Sequence, residues 1–286
     1  MKMRMNKPAT RNSSRSCVFR VSRAAVGGLL SVLALAATAV PARATLTFNN
    51  GNFTNFTGGF GTPGAPSQLG DSGTGGYTAL TNWTVGPGSS GLLGFLIASG
   101  TADTTGSHDV RFNNTFLLWG TNDGGLNTLP ASSPAGGNYI ALDADSTYSG
   151  TGISQQLGGL IPGHDYSVNF WWAAAQQNGF NGATTESVQV SFGSQTQTTT
   201  TFNLASHGFS GWMNQTFNFT AQTATDTIKF LAVGGPTGEP PFSLVDGVTV
   251  VASPEPGTAT LVLSAIGLLI LFSLFKSRRR KIRMNR

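Results

Sequence analysis

Three histidines and eleven acidic side chains are the residues between positions 45 and 252 that could perform acid–base chemistry or bind a metal ion. His108, His164 and His207 lie far apart, without the H-x-H, H-E-x-x-H or C-x-x-C spacing that indicates a zinc site. A glycosidase needs two carboxylates across a cleft, and no acidic pair is singled out by its neighbours. The residues therefore favour a protein that is not an enzyme.

Two short motifs match parts of known sites but lack the residues that would complete them. The segment GDSGTGG at 70–76 contains the sequence around the nucleophile of chymotrypsin-like proteases, yet no histidine precedes Ser72 as those enzymes require. The segment LDADSTYSG carries Asp143 and Asp145 in the D-x-D start of a calcium loop, without the glutamate that ends such a loop. We expect a Gly-rich surface loop at Ser72 and a solvated turn at Asp143.

Tryptophan offers a different chemistry, because its flat apolar ring can stack on the C–H face of a sugar ring. Of the five tryptophans, Trp83, Trp119 and Trp171 are our candidates for a carbohydrate-binding surface. Trp171 and Trp172 are consecutive, so in a β-strand they point to opposite faces and one of them faces outward or into a groove. Trp171 is our first candidate for the tryptophan that stacks on a sugar ring. The alternative is that these tryptophans fill the core, as tryptophan commonly does.

Apolar and polar side chains alternate with a period of two along much of the chain, which is typical of half-buried β-strands. The segments DYSVNFWWAAA at 165–175 and ESVQVSFG at 186–193 are clear examples. Gly-, Ser- and Asn-rich segments separate about ten to twelve such short stretches, and little helical periodicity is present. The pattern predicts an all-β protein with a single β-sandwich, of the jelly-roll kind, over residues 45–252.

The chain is basic overall, with a formal net charge of +5, but its charges are unevenly distributed. Eight Lys and Arg residues lie in 1–44 and seven in 276–286, whereas 45–252 contain only Arg111 and Lys229 against eleven acids. A surface that binds nucleic acid needs clustered Lys and Arg. The acidic middle of the chain therefore excludes nucleic acid as its partner.

Residues 1–44 have the features of a secretory signal peptide. Basic residues precede an apolar run at 24–40, and Ala42 and Ala44 form a small-residue cleavage site. We expect cleavage after Ala44, with an uncleaved membrane anchor as the alternative. The one cysteine, Cys17, lies in this segment, so the exported chain would contain no disulfide.

Three stretches between 49 and 250 resemble the galactose-binding-like jelly rolls of carbohydrate-binding modules and related extracellular domains. They are NNGNFTNF at 49–56, GNYIALDADSTYSGTGISQQLGGLIPGHDYSVNFWWAAAQ at 137–176 and PPFSLVDGVTV at 240–250. The resemblance implies a galactose-binding-like β-sandwich whose ligand is a carbohydrate.

The same resemblance implies a structural calcium ion, to which Asp246 would contribute a carboxylate. Strand parity places Asp246 with Leu244 and Val248 on the buried face, where an unpaired carboxylate is costly. Calcium prefers six to eight oxygen ligands, and the backbone near Asn52 would supply some of them. The alternative is a bulge at Gly247 that turns Asp246 outward. We expect no other cofactor.

Residues 253–286 form a tail in three parts. Pro254, Glu255 and Pro256 are followed by an uncharged apolar stretch at 259–275 and by a basic end at 276–286. As a helix the apolar stretch would span roughly 26 Å, just under a hydrocarbon core of ~30 Å, and the basic end would stay in the cytoplasm. A single transmembrane helix is therefore predicted.

This tail resembles the PEP-CTERM sorting signal. The resemblance implies that Pro254, Glu255 and Pro256 are recognised by exosortase, a membrane protease-transpeptidase that cuts the tail. The chain would be anchored transiently in the inner membrane and would then reach the outer surface or the medium. A plain tail anchor is the alternative.

The predicted function is that of an exported matrix protein that binds polysaccharide in an exopolysaccharide or biofilm layer. A structural or adhesive matrix protein without a defined sugar site is the second hypothesis, and a polysaccharide hydrolase is a weaker third.

Overall fold

A computed structural model describes residues 45–61, 65–86, 93–145, 152–253 and 263–272. Ala42 and Ala44 of the predicted cleavage site lie outside the described residues, and so do Pro254, Glu255 and Pro256.

Fifteen β-strands are present in the described part of the chain. They are β1 (Phe56–Gly58), β2 (Thr78–Leu80), β3 (Thr84–Val85), β4 (Gly94–Ile97), β5 (Ser107–Asp109), β6 (Asn114–Phe116), β7 (Tyr139–Asp143), β8 (Gly152–Gly158), β9 (Asp165–Gln176), β10 (Thr184–Phe192), β11 (Gln195–Thr198), β12 (Phe202–Leu204), β13 (Met213–Thr220), β14 (Thr225–Gly235) and β15 (Pro241–Ala252).

Most of these strands belong to two antiparallel sheets. A six-stranded sheet has the order β11-β10-β14-β8-β3, with β12 also paired to β10, and a five-stranded sheet has the order β13-β9-β15-β7-β4. The pairs β1–β2 and β5–β6 form two small separate sheets. The prediction of an all-β sandwich is confirmed.

The space between the two large sheets is filled by side chains at alternate positions of each strand. On β9 the side chains of Tyr166, Val168, Phe170 and Trp172 are buried in this inner core, as the period-two pattern predicts. Phe170 meets Phe230 of β14 edge to face, with the ring centroids 5.2 Å apart. Aromatic contacts of this kind join the two sheets.

The outer face of the five-stranded sheet is half covered by a second apolar core. Residues 98–138, here called the covering segment, place Phe116 against Phe95 and Phe242 with ring centroids 4.0 and 4.6 Å away. Residues 205–212 add Phe209 and Trp212 to the same cluster. The outward side chains of β4, β7, the end of β9 and the start of β15 are therefore buried, and we call this region the covered half.

A β-bulge divides β15 into two parts that present their side chains differently. Asp246 is opposite Trp171 and Thr249 is opposite Asn169, so β15 contains one extra residue between these pairs. Gly247 has a φ of 59° at this point, a conformation that glycine adopts readily. An extra residue moves the following side chains to the opposite face of the sheet.

The bulge corrects the predicted parity of this strand. Leu244 belongs to the second core on the outer face, whereas Val248 and Val250 belong to the inner core. Asp246 precedes the extra residue, so it lies on the same outer face as Leu244 and not with Val248. Its side chain is buried because the covering segment lies over it.

Residues 263–272 form a helix, α1, in which the leucine side chains, Ile270 and Phe272 are exposed. The helix falls inside the apolar stretch at 259–275. Within the described ranges, no helix combines the length and the apolar character needed to cross a membrane.

Candidate functional site

Trp83 lies in the inner core and offers no surface to a ligand. Its side chain is 6% exposed, and its ring contacts those of Phe48, Phe53 and Phe230 at centroid distances of 5.9, 5.6 and 6.1 Å. Its indole N–H donates to the carbonyl oxygen of Asn50 at 3.0 Å. The prediction of a stacking role fails for this residue, because the indole is buried among other aromatic side chains.

Trp119 is half-buried and is held by contacts within the chain. Its ring stacks on that of His207 with a centroid distance of 3.9 Å, and its indole N–H donates to the carbonyl oxygen of Phe180. Nε2 of His207 lies 2.6 Å from Oδ1 of Asn181. One face of Trp119 is thus occupied by the histidine, which leaves it less suited to stacking on a sugar than a tryptophan without a ring partner.

Trp171 lies on the outer face of the five-stranded sheet, beside the border of the covered half. Trp171 is half-buried whereas Trp172 is 3% exposed, so the two side chains do point to opposite faces. Asn214 of β13 and Asp246 of β15 lie opposite Trp171 on the neighbouring strands.

Beyond Trp171 the same outer face is open to solvent and bears uncharged polar groups. Three strands contribute half-buried or exposed side chains to this open face, which we define as Ser167, Asn169, Trp171, Asn214, Thr216, Asn218, Thr249 and Val251. All eight residues are uncharged, and six of them carry hydroxyl or amide groups. On β9 the same alternation that buries Val168 and Phe170 turns Ser167, Asn169 and Trp171 toward the outer face.

Hydrogen bonds between strands hold these polar groups in place. The amide nitrogen of Asn169 donates to Oδ1 of Asn214 at 2.9 Å and to the hydroxyl of Thr216 at 2.8 Å. The hydroxyl of Ser167 donates to Oδ1 of Asn218 at 2.7 Å. Side chains whose rotamers are fixed in this way lose little entropy when a ligand binds. An indole beside fixed amide and hydroxyl groups is chemically suited to a ligand rich in hydroxyl groups.

Asn169, Asn214 and Thr216 were not among the residues expected from the sequence. Asn169 and Thr216 alternate with the buried Phe170 and Phe217, and Asn214 lies two residues before Thr216 on β13, which identifies all three as residues of the outer face. Only the pairing of β9 with β13 shows that they lie next to Trp171. The alternation within each strand therefore predicts which residues face outward, but only the register between the strands shows which of them are neighbours.

The predicted calcium site does not fit the arrangement of its residues. Asp246 is fully buried, and its Oδ2 accepts a short hydrogen bond from the hydroxyl of Ser133. Asn52 is exposed, and its side-chain oxygen accepts a hydrogen bond from Thr54. No group of three or more His, Cys, Asp or Glu side chains suited to a metal ion occurs in the described ranges.

Asp143 and Asp145 are buried, which corrects the prediction of a solvated turn. Their exposed fractions are 1% and 2%, and Oδ1 of Asp143 accepts a hydrogen bond from the backbone N–H of Asp145. Burial is the main cause that raises the pKa of Asp143 to about 7; the backbone hydrogen bond from Asp145 opposes the rise, and the charge of Asp145 adds to it. The N–H of Asp143 donates to the carbonyl oxygen of Leu93 and that of Ala144 to the carbonyl oxygen of Pro241, so segments distant in the chain flank these residues.

Ser72 lies in an exposed loop, as predicted. Its hydroxyl is 2.7 Å from that of Thr74.

No protein-family model matches the sequence, and no curated protein sequence matches it. Among solved structures, the chain is similar to TmCBM61 in complex with beta-1,4-galactotriose (TM-score 0.34, 14% identity, covering 60% of this chain and 90% of that one). It is also similar to a CBM4 structure, with a TM-score of 0.33 and 15% identity over 72% of this chain and 100% of that one. A third similar structure is the CBM22-1 xylan-binding domain from Paenibacillus barcinonensis Xyn10C. Its TM-score is 0.28, with 9% identity over 56% of this chain and 94% of that one. These TM-scores denote limited structural overlap.

Proposed function

We propose that this protein binds a neutral polysaccharide on the open face, without catalysing its cleavage. The indole of Trp171 stacks on one sugar ring, and Asn214 and Thr216 exchange hydrogen bonds with the hydroxyl groups of the neighbouring ring. The observation that carries the proposal is the position of Trp171, a partly exposed indole beside a fixed row of amide and hydroxyl groups.

Charge supports a neutral polymer over an acidic one. Residues 45–252 contain two basic side chains against eleven acids, the open face has no basic group, and the exposed Asp165 lies beside it at the start of β9. A polymer of uronic acids would be repelled by this net charge and would find no cationic group on the open face.

The test is the replacement of Trp171 by Ala in the full-length chain, followed by affinity electrophoresis in gels that contain a neutral galactan, xylan or β-glucan. Loss of a central aromatic anchor costs about 2 kcal/mol or more, so we expect at least tenfold weaker retardation by the polymer that binds the wild type. Val233→Ala, at an exposed apolar residue of β14 in the six-stranded sheet, is the matched control and should leave the retardation unchanged.

Equal retardation of the Trp171→Ala variant and the wild type would contradict the proposal. Absence of binding to every polymer, with a folded wild-type protein, would favour the alternative of a structural or adhesive protein.

We also propose that the protein is exported and sorted through its tail. Residues 1–44 would direct export with cleavage after Ala44, and exosortase would recognise Pro254, Glu255 and Pro256 while residues 259–275 hold the chain in the inner membrane. The sequence of these segments supports the proposal. The released protein would then act in the extracellular polysaccharide layer, where a domain that binds neutral sugars is useful.

Mass spectrometry of the protein recovered from cells tests this part. We expect a mature chain that lacks the basic residues 276–286, and Glu255→Ala should prevent their removal. Recovery of the intact C-terminus from the wild type would contradict processing by exosortase and would favour a plain tail anchor.

A further inference from the structure

The part of the covering segment that lies over Asp246 is made of small residues. It consists of residues 132–137, with the sequence SSPAGG, and we call it the lid. Its largest side chain, that of Pro134, is exposed. Gly136 and Gly137 have φ values of 77° and 82°, and a Cβ atom at Gly136 would meet nothing within 4 Å. The lid therefore buries little apolar surface and contains two residues that change backbone conformation at little cost.

A single hydrogen bond joins the lid to another segment in the part of the chain that the structure describes. In this bond the hydroxyl of Ser133 donates to Oδ2 of Asp246. The N–H groups of Ala135 and Gly136 bond within the lid, to the hydroxyl and the carbonyl oxygen of Ser133. Local opening costs little free energy where a segment has few buried apolar contacts and few hydrogen bonds to the rest of the protein. The lid meets both conditions.

Beneath the lid, the carboxyl group of Asp246 is kept from water. Asp246 is fully buried, and its Oδ1 has no hydrogen-bond partner among the described residues. Burial raises the pKa of Asp246 to about 6, while hydrogen bonds from Ser133 and from the backbone of Gly247 oppose the rise. Opening of the lid would expose both carboxylate oxygens to water or to a ligand.

Asp246 is also the neighbour of the tryptophan of the open face. It lies directly opposite Trp171 on the adjacent strand, and Cβ atoms of such pairs are about 4.5–5.5 Å apart. The lid approaches both residues at Gly247, where an added Cβ would lie 2.5 Å from Cβ of Ala135 and 3.3 Å from Cδ1 of Trp171. With the lid open, a sugar ring on Trp171 would therefore have a carboxylate beside it. The two oxygens of a carboxylate can accept hydrogen bonds from two hydroxyl groups.

We propose that the lid opens when the polysaccharide binds, and that Asp246 then accepts hydrogen bonds from two adjacent hydroxyl groups of the sugar ring on Trp171. This inference rests on the proposed function, because it extends the binding site of the open face to a residue that the lid covers. It narrows the ligand to neutral sugars with a free vicinal diol. The closed lid lowers the apparent affinity, since only the open fraction of the protein binds.

Affinity electrophoresis of the full-length chain tests the lid, in gels that contain the neutral galactan, xylan or β-glucan that retards the wild type. Ser133→Ala removes the hydrogen bond that closes the lid, so this variant should bind about threefold to tenfold more tightly. Asp246→Asn keeps the size of the side chain but loses one acceptor oxygen and the charge, so it should bind about tenfold more weakly. Ser132→Ala, at the adjacent half-buried serine, is the matched control and should bind like the wild type.

Hydrogen exchange followed by mass spectrometry gives a second readout on the wild type itself, which no folding defect of a variant can affect. With a bound oligosaccharide of the same polymer, residues 132–137 should exchange faster, whereas β9 and β13 should exchange more slowly. Slower exchange of the lid in the complex would overturn the proposal, because the lid would then close over the ligand.

The variants also separate the failure of this inference from that of the proposed function. If Trp171→Ala binds more weakly but Ser133→Ala binds no more tightly than the wild type, the lid does not oppose binding and the inference is wrong. Wild-type affinity of Asp246→Asn would overturn it as well, and in both cases the open face would remain the binding site. If Trp171→Ala binds like the wild type, the proposed function is itself contradicted.

Discussion

The outer face of the five-stranded sheet contains two regions that differ in almost every property although they share strands. In the covered half the side chains of β9 and β15 lie among Phe95, Phe116 and Phe242 and are buried. On the open face the same two strands present Asn169, Trp171 and Thr249 to solvent or near it.

The difference shows that coverage by residues 98–138 separates core from binding surface on this sheet. Where the covering segment lies, small residues such as Ala173 and Ala175 leave room for its aromatic rings. Where it ends, the outward positions carry Asn, Ser and Thr. Trp171 stands between the two regions. Three substitutions test how far the two regions differ, and they follow in order of decreasing expected effect on the free energy of unfolding.

The largest effect is expected from Phe242→Ala in the covered half. Phe242 is fully buried against Phe116, so its removal leaves a cavity and should lower the free energy of unfolding by about 3–5 kcal/mol. Denaturation in urea measures the change. Val251→Ala on the open face is the control, because its 54% exposed side chain should cost about 0.5 kcal/mol or less. Similar losses from both changes would show that the two regions do not differ as described.

A smaller, pH-dependent effect is expected from Asp143→Asn. The folded chain holds the proton of Asp143 up to a pKa of about 7, whereas the unfolded chain releases it near the ordinary value of 3.8. The folded state therefore binds more protons, and stability falls as the pH rises through this interval by about 1.4 kcal/mol per unit. The variant should exceed the wild type in stability by about 2–4 kcal/mol at pH 7, with no difference below pH ~4.

Urea denaturation at several pH values between 4 and 8 measures this effect. Asp165→Asn, an exposed aspartate at the start of β9, is the control and should change stability by no more than about 0.5 kcal/mol. A wild type and an Asp143→Asn variant with the same slope of stability against pH would show that this carboxyl is not protonated in the folded chain.

The smallest effect is expected at the border, from Gly247→Ala. A Cβ atom at Gly247 would lie 2.5 Å from Cβ of Ala135 and 3.3 Å from Cδ1 of Trp171, and the φ of 59° is unfavourable for alanine. We expect a loss of about 1–3 kcal/mol and weaker binding of the neutral polymer, because Trp171 must move.

Gly163→Ala isolates the contribution of the clash. Gly163 has a φ of 84° but nothing within 4 Å of the added Cβ, so this change carries the cost of the backbone conformation alone. Unfolding in urea and the fluorescence of the tryptophans measure both variants. If Gly247→Ala costs no more than Gly163→Ala, the covering segment does not pack closely on the bulge.

The sequence by itself determined the alternation of the strands and the opposite directions of Trp171 and Trp172, because both follow from the local period of two in an extended backbone. It also determined the acidic character of residues 45–252, which is a matter of composition.

Only the tertiary structure decided which outward positions are covered. Ser133 bonds to Asp246 across 113 residues, and Trp83 and Asp143 are buried by segments distant in the chain. The bulge at Gly247 was an alternative that the sequence offered, and the pairing of β15 with β9 decided in its favour. Such contacts join residues that are remote in sequence, so local periodicity carries no information about them.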